Sequence, residues 1–406
     1  MQNTCINIVL LSLFLITATA TANNGQTVSS KVFKVLTEAQ SYNNKDQHNR
    51  ALKKLNSLAI TKLTPYEQSQ ILNMKGFIYF EKNQLSNALT FLNNSIATDS
   101  LGKDTRLNTL QTIAQIHYLK EDYSKAILIS DDFLALEPSK RPQIFIIKGQ
   151  AHFQLQQYTS AITAIKKSIA LKKETGKKVY ENDLLILSAC YQELRQYSQQ
   201  IQTLNQLIRL YPKKTYLLAL AGAYYEKGDK KKQLSIYEAL YEQGQLNEPQ
   251  QITNLSQLYI INHTPIKAAT VLQKSFDNKT LKKNVRNLKL LAHAWYAARS
   301  PEKSIHPLKE AAKKTKDGKT YMRLGHLLSR LERWEEAIDA LTQAKKKGGL
   351  PKKHNVDLLT GVACFHAGHH RKAKKAFKQA VHQQYYAGPA KSWLNLLDQR
   401  GKTQIN

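Results

Sequence analysis

The sequence is poor in the residues that interrupt helices. It has 16 glycines and 10 prolines among 406 residues, roughly half their usual share. This scarcity argues against an all-β fold, which needs many tight turns, and against low-complexity linkers. Apolar residues make up 42% of the chain, enough to bury a core, so wholesale disorder is not expected. The composition therefore predicts a long, mainly helical chain.

Cysteine and acidic residues are also scarce. Three cysteines are too few for a disulfide framework or a four-cysteine zinc site. The 30 Asp and Glu residues are outnumbered by 60 Lys and Arg residues, which gives a formal net charge of +30. A charge of this size is typical of proteins that bind anionic partners, and nucleic acid is the first partner to consider.

The first 22 residues have the composition of a secretory signal peptide. Ile6–Ile16 is apolar except for Asn7 and Ser12, and small residues follow it up to Ala20–Ala22. This order predicts a signal peptide at 1–22, with cleavage before Asn23, although its start lacks the usual Lys or Arg. The apolar run is too short to span the ~30 Å hydrocarbon core of a bilayer. Because an exported protein meets little nucleic acid, we predict no nucleic-acid partner.

A repeat with a period of about 36 residues runs through the rest of the chain. Each repeat has a small residue in its first half, and in most repeats an alanine follows twelve positions later. An aromatic residue commonly begins the second half. The ten small residues are Ala39, Gly76, Ala114, Gly149, Ser188, Ala221, Ser256, Ala292, Gly325 and Gly361. This is the tetratricopeptide (TPR) pattern, in which every repeat is a pair of antiparallel helices.

The repeat predicts a right-handed α-solenoid of about ten TPR-like helix pairs. Small residues at the helix crossing let the two helices approach closely, and each pair buries its apolar faces by stacking on its neighbours. We assign 30–385 to this array, 23–29 to a flexible linker, 386–398 to a C-terminal capping helix and 399–406 to a flexible tail.

Catalytic and metal-binding patterns are not evident. His366, His369 and His370 are clustered, but they fall in a predicted turn, where polar residues are common, and no carboxylate accompanies them. Cys190 and Cys364 lie in repeats that do not touch, so we predict two buried, unpaired thiols. The sequence also has no glycine-rich phosphate loop. We predict no catalytic residue, no metal, no cofactor and no enzymatic activity.

The first helices of stacked pairs line a concave groove, the surface that solenoid proteins use for binding. Helical spacing directs four positions of each repeat toward it. In the front half these positions hold amides and aromatic rings, suited to an extended peptide: Gln111, Gln115, Tyr118, Gln150 and Phe153. In the back half they form a basic stripe suited to carboxylates: Arg286, Lys289, His293, Tyr296, Lys319, Arg323, His326 and Arg330. We predict that the partners are proteins or peptide segments of acidic character.

Several segments after Arg286 are distinctive beyond the TPR pattern. They are Ala294–Trp295, Pro301–Leu308, Arg333–Ala337, Lys347–Leu350 and the closing Trp393–Leu397. With the signal peptide and the length of the array, they resemble a family of exported Gram-negative TPR proteins. That family is commonly encoded beside TonB, ExbB and ExbD energy-transduction genes. The resemblance implies a periplasmic scaffold, accessory to TonB-type uptake and binding other envelope proteins, and it assigns no ligand residues.

Lysine clusters outside the groove leave a second function open. They lie at 230–232, 282–283, 345–347 with 352–353, and 374–375. Clustered lysines can hold a protein against anionic headgroups or an acidic wall polymer. The alternative to a groove-binding scaffold is therefore a cell-wall or membrane-surface adaptor, with peripheral membrane contact through its basic face.

Overall fold

The structure, a computed structural model, is all-helical in the part of the chain that it describes. That part comprises residues 27–138, 141–350, 355–383 and 385–403. It contains twenty-one α-helices and one 3-10 helix, and no β-strand. The predicted signal peptide at 1–22 and the lysines at 352–353 lie outside it. The predicted all-α solenoid class is confirmed.

The described residues form two compact units that divide between Ala223 and Tyr224, within α11. The helices up to the division are α1 (Ser30–Asn43), α2 (His48–Asn56), α3 (Pro65–Glu81), α4 (Leu85–Ala97), α5 (Lys103–Leu119), α6 (Tyr123–Leu136), α7 (Pro142–Gln154), α8 (Tyr158–Glu174), α9 (Glu181–Glu193), α10 (Tyr197–Leu210) and α11 (Lys214–Glu226), with the 3-10 helix at Ile60–Lys62. The helices after it are α12 (Lys230–Glu242), α13 (Pro249–Ile261), α14 (Pro265–Asp277), α15 (Val285–Ala297), α16 (Pro301–Lys314), α17 (Lys319–Arg330), α18 (Trp334–Lys347), α19 (Val356–His366), α20 (His370–Val381) and α21 (Ala387–Thr403).

Consecutive helices pack as pairs within each unit. In the first unit α1 packs on α2, and the pattern repeats up to α9 on α10; in the second it runs from α13 on α14 to α19 on α20. The second helix of a pair also packs on the first helix of the next, as α6 does on α7 and α16 on α17. This arrangement, in which helices contact chiefly their neighbours in sequence, is an α-solenoid.

The ten small residues of the repeat lie in the odd-numbered helices α1 to α19, and all of them are buried. Four are glycines that face a bulky side chain sixteen residues later. A methyl group added at Gly149 would lie 2.6 Å from Ile165 Cγ1, and one added at Gly361 would lie 2.4 Å from Phe377 Cε1. The repeat thus places a small residue at the crossing of each pair because the partner helix occupies the space of a side chain.

The start of α1 is fixed by a contact across the first two pairs. Glu67 is 5% exposed, and its Oε1 accepts a hydrogen bond of 2.9 Å from the backbone N–H of Ser29. Glu67 also forms a capping box with Thr64 at the start of α3. Val28 packs against the core formed by α1, α2 and α3. Within the linker predicted at 23–29, Val28 thus packs on the core, and the exposed Ser29 is held by the hydrogen bond from its backbone to Glu67.

At the other end, α21 is longer than the predicted capping helix at 386–398. It continues to Thr403, five residues past the predicted end and into the predicted tail at 399–406. Trp393 stacks on Phe377 with ring centroids 5.6 Å apart, and Leu397 is buried against α20. Glycine in a helix costs about 1 kcal/mol, so Gly401 does not end a helix that is anchored in this way. Residues 404–406 lie outside the described part.

A buried ion pair joins two neighbouring pairs of the first unit. The Lys172 ammonium of α8 donates to Asp183 Oδ2 of α9, and both side chains are 4% exposed. Lys172 Nζ also lies 4.6 Å from the centroid of the Tyr180 ring. A charge buried this deeply is tolerated because it is paired and hydrogen-bonded.

The crossing glycine of the last pair gives a test of the packing. Replacing Gly361 with alanine forces a methyl group against the Phe377 ring, which also stacks on Trp393. We expect the apparent free energy of unfolding, from urea titration, to fall by about 1–2 kcal/mol. Gly222→Ala is the control, since nothing lies within 4 Å of a methyl group there. This variant should gain about 0.5–1 kcal/mol, and equal effects at both positions would contradict the packing described.

Glu67 gives a second test, through pH. Hydrogen bonds from the side chain and backbone amide of Ser29 lower the pKa of Glu67 from 4.5 to about 2. Because its pKa is lowered in the folded state, the Glu67 carboxylate stabilises the fold by at most about 3 kcal/mol. This stability is fully present above pH 4.5 and is lost as the pH falls toward 2. Glu67→Gln should therefore be less stable than wild type at pH 6, and the difference should shrink on acidification to pH 3. Glu174→Gln, which alters an exposed carboxylate, should show no such trend; a constant difference for Glu67→Gln would contradict the assignment.

Candidate functional site

A cavity of about 680 Å³ opens in the second unit. Its walls come from the first helices of three successive pairs, α15, α17 and α19, with Leu308 of α16 and Tyr386 just before α21. Its volume is in the range of sites that bind small ligands or peptide side chains. The cavity thus lies on the face of the solenoid that the sequence predicts for binding.

Basic side chains form the α15 and α17 walls. Lys319, Arg323, His326 and Arg330 recur every three or four residues along α17, which places them on one face of the helix. Lys289, His293 and Tyr296 follow the same spacing on α15. The structure therefore brings together seven of the eight residues of the predicted basic stripe. The eighth, Arg286, is exposed on α15 and does not line the cavity.

Arg330 and Tyr296 connect the two walls. The Arg330 guanidinium donates a hydrogen bond to the Tyr296 hydroxyl, and its Cζ lies 5.7 Å from the centroid of the same ring. The tyrosine thus contacts the cation through both its hydroxyl and its π face, an arrangement that arginine forms more readily than lysine. This contact fixes one end of the cationic surface.

The lining also includes an apolar surface, to which α16, α17 and α19 contribute. Met322 and Leu327 of α17 and Leu308 of α16 meet Leu358 and Leu359 of α19. None of these five was predicted from the sequence as a site residue. Met322 and Leu358 each lie three residues before the small residue of their repeat, at a groove position, and this was the available signal.

The charges of the cavity are of one sign. Its lining contains two lysines, two arginines and two histidines, and no Asp or Glu. Lys319 Nζ lies 3.7 Å from Oδ2 of Asp317, which is outside the cavity, and the Lys319 and Asp317 side chains are 52% and 42% exposed. Exposed ion pairs of this kind contribute little to stability. Lys319 is therefore available to an incoming anion. Chemically, the surface can donate charge-assisted hydrogen bonds to a carboxylate beside an apolar surface.

The groove residues predicted in the first unit are less exposed than those of the basic stripe. Gln115 and Gln150 are each 2% exposed, so the structure buries their amides where the sequence predicts that they line an open groove. α5 packs against α7, and α7 against α9. This close approach of neighbouring first helices covers the position after the small residue. Among the described residues, the side-chain oxygen of Gln150 has no hydrogen-bond partner.

Gln111, Tyr118 and Phe153 are half-buried. The Tyr118 ring lies 5.5 Å from that of Tyr123, and the Phe153 ring 5.7 Å from that of Tyr158. Each contact joins the end of a first helix to the start of the second helix in the same pair. These two aromatic rings therefore have a structural role in closing their pairs.

The clustered histidines have aromatic and acidic neighbours. His366 stacks on Trp334 with centroids 4.5 Å apart, and His369 Nε2 lies 2.8 Å from Glu335 Oε1. Across the described ranges, no group of three or more His, Cys, Asp or Glu residues has metal-binding geometry. Cys190 and Cys364 are buried and unpaired, and desolvation raises the pKa of Cys190 to about 12.

A search for membrane-spanning helices found no described helix with the length and apolar character that crossing a bilayer requires.

Comparison with protein families supports the repeat assignment. Residues 81–168 match a family model described as anaphase-promoting complex, cyclosome, subunit 3, and residues 322–390 match a tetratricopeptide repeat model. A search of the curated proteins gave no match.

Three similar solved structures illustrate the range of matches. A tetratricopeptide repeat protein from Parabacteroides merdae is 14% identical, with a TM-score of 0.38, covering 61% of this chain and 93% of its own. The C-terminal part of a TPR repeat-containing protein from Cytophaga hutchinsonii is 15% identical, with a TM-score of 0.38; the match covers 70% of this chain and 99% of the Cytophaga chain. The TPR2AB domain–pHSP90 complex of yeast Sti1 is 15% identical, with a TM-score of 0.36; the match covers 67% of this chain and 99% of the Sti1 chain.

The second of the two family models spans most of α17 to α20 and the start of α21, and thus includes much of the cavity wall. Together with the helix pairs described above, the two family matches support a tetratricopeptide repeat protein.

Proposed function

We propose that this protein is a protein–protein interaction scaffold that binds an acidic segment of a partner in the cavity of the second unit. The observation that carries the proposal is the juxtaposition of Lys319, Arg323 and Arg330 with an apolar wall in a cavity that contains no carboxylate. Cations of this density repel one another unless an anion is present, so the surface favours a negatively charged ligand.

The two sides of the cavity define what the segment must carry. Carboxylates of the segment accept hydrogen bonds from the α15 and α17 cations, and arginine can bind a carboxylate through two nitrogens. A large apolar side chain next to them is buried against Leu358 and Leu359, which gains about 25 cal/mol for each Å² removed from water. The preferred segment therefore combines acidic residues with a neighbouring leucine or aromatic residue.

The cellular setting follows from the sequence. The proposed signal peptide at 1–22 directs the chain out of the cytoplasm. The resemblance of the whole chain to exported Gram-negative TPR proteins suggests that the protein is located in the periplasm. That resemblance is strongest from Arg286 to Lys353, the stretch that supplies the α15 and α17 walls. We therefore propose that the partner is an envelope protein of a TonB-type uptake system, and that the chain has no enzymatic role.

A peptide-binding measurement tests the site. The probe is a fluorescent peptide that alternates aspartate and leucine, and its affinity for the protein is measured by anisotropy at low salt. Arg323→Ala and Arg330→Ala each remove charge-assisted hydrogen bonds, so each should weaken binding about tenfold, or ~1.4 kcal/mol. A peptide in which serine replaces leucine should also bind more weakly, because it leaves the apolar wall uncovered.

The matched control is Arg209→Ala, which removes an exposed arginine from α10 in the first unit. It should leave the affinity unchanged. Equal weakening by all three substitutions would mean that the peptide adsorbs to the general positive charge, and unchanged affinity in Arg323→Ala and Arg330→Ala would place binding elsewhere. Either result would overturn the proposed site.

A further inference from the structure

A second cationic surface lies on α18 and α20 and shares no residue with the cavity. We call it the α20 face. Its basic residues are Lys345, Lys346, Arg371, Lys372, Lys374, Lys375 and Lys378, all of them exposed. Two shallow basins of about 470 and 400 Å³ lie on it, and these side chains form much of their lining.

Most of these charges are not neutralised within the molecule. Lys345 Nζ lies 2.8 Å from Asp357 Oδ1, and Lys374 Nζ lies 2.6 Å from Asp398 Oδ1. In the part of the chain that the structure describes, no ion pair involves Arg371, Lys372, Lys375 or Lys378. These four cations occupy two turns of one helix.

The α20 face lacks the apolar anchors of a protein interface. Four apolar residues of α20 are buried toward the core, Ala373, Ala376, Phe377 and Ala380; Val381 is half-buried, and the exposed residues of the helix are charged or polar. Binding energy at protein interfaces is concentrated in buried aromatic and apolar side chains, so a folded protein partner fits this surface poorly. Adsorption to a charged surface needs only cations that can reach it.

From this combination we propose that the α20 face binds the surface of a membrane that contains anionic phospholipids. Lipid phosphates in a plane can contact several lysines at once, and the long lysine side chains adapt to headgroups that move. The attraction acts over about one Debye length, ~10 Å at 0.1 M salt. The cavity faces a different part of the unit, so membrane binding and partner binding use separate residues and can fail independently.

Co-sedimentation with lipid vesicles tests the proposal. The full chain is mixed with vesicles of phosphatidylglycerol and phosphatidylcholine, or of phosphatidylcholine alone. We expect binding to the anionic vesicles only, and loss of binding between about 0.05 and 0.5 M salt. Reversal of the four unpaired cations (R371E, K372E, K375E and K378E together) should lower the vesicle partition coefficient about 100-fold or more.

A matched control separates the face from net charge. Lys282, Lys283, Lys309 and Lys313 are exposed lysines of the same unit outside the α20 face, and reversing them changes the net charge by the same amount. This variant should lose less than about tenfold in partition coefficient. Circular dichroism melting of both variants confirms that they are folded, and both should still bind the aspartate–leucine peptide through the cavity.

Three results would overturn the proposal. One is failure of the wild-type chain to bind anionic vesicles. Another is equal loss in the two charge-reversed variants, because binding would then follow total charge. The third is preferential binding of soluble polyglutamate in the presence of vesicles that is abolished by reversal of the four α20 cations, because the face, and not the cavity, would then recognise an acidic polymer in place of a membrane.

Discussion

The close crossing of the two helices in each pair is the constraint on which the rest of this structure depends. At the crossing the partner helix approaches so closely that Gly149 and Gly361 have no space for a methyl group. This contact fixes how each first helix is rotated about its axis, and so determines which residues face outward. The row from Lys319 to Arg330 lines the cavity because Gly325, on the other side of α17, packs against Leu341.

The spacing of neighbouring first helices then decides whether their outer side chains form a cavity or are buried. α5 packs closely on α7, whereas α15 and α17 approach each other at few points. The position after the small residue differs in exposure accordingly: Gln115 of α5 is buried, but His293 of α15 is exposed. The cavity thus opens where α15 and α17 are least closely packed, and cations with apolar neighbours line it.

Sequence reasoning could predict the features that recur with the repeat. The helix pairs, the buried small residues and the basic stripe follow from a period that is visible in a single chain. Contacts that occur once could not be predicted, because nothing repeats to reveal them: the Glu67–Ser29 hydrogen bond, the buried Lys172–Asp183 pair and the continuation of α21 past Gly401. The burial of Gln115 and Gln150 was missed for a related reason, since helical spacing gives the direction of a side chain but not the distance to the next helix.

The most direct test of the account is photo-crosslinking in living cells from a crosslinking amino acid placed at His326, inside the cavity. Lys309, exposed on α16 and outside the cavity, is the reference position. The account predicts an envelope protein of a TonB-type system crosslinked from position 326 and not from 309, and loss of that product when Arg323→Glu is added. The same product from both positions, or none from 326, would contradict the claim that this cavity binds the partner.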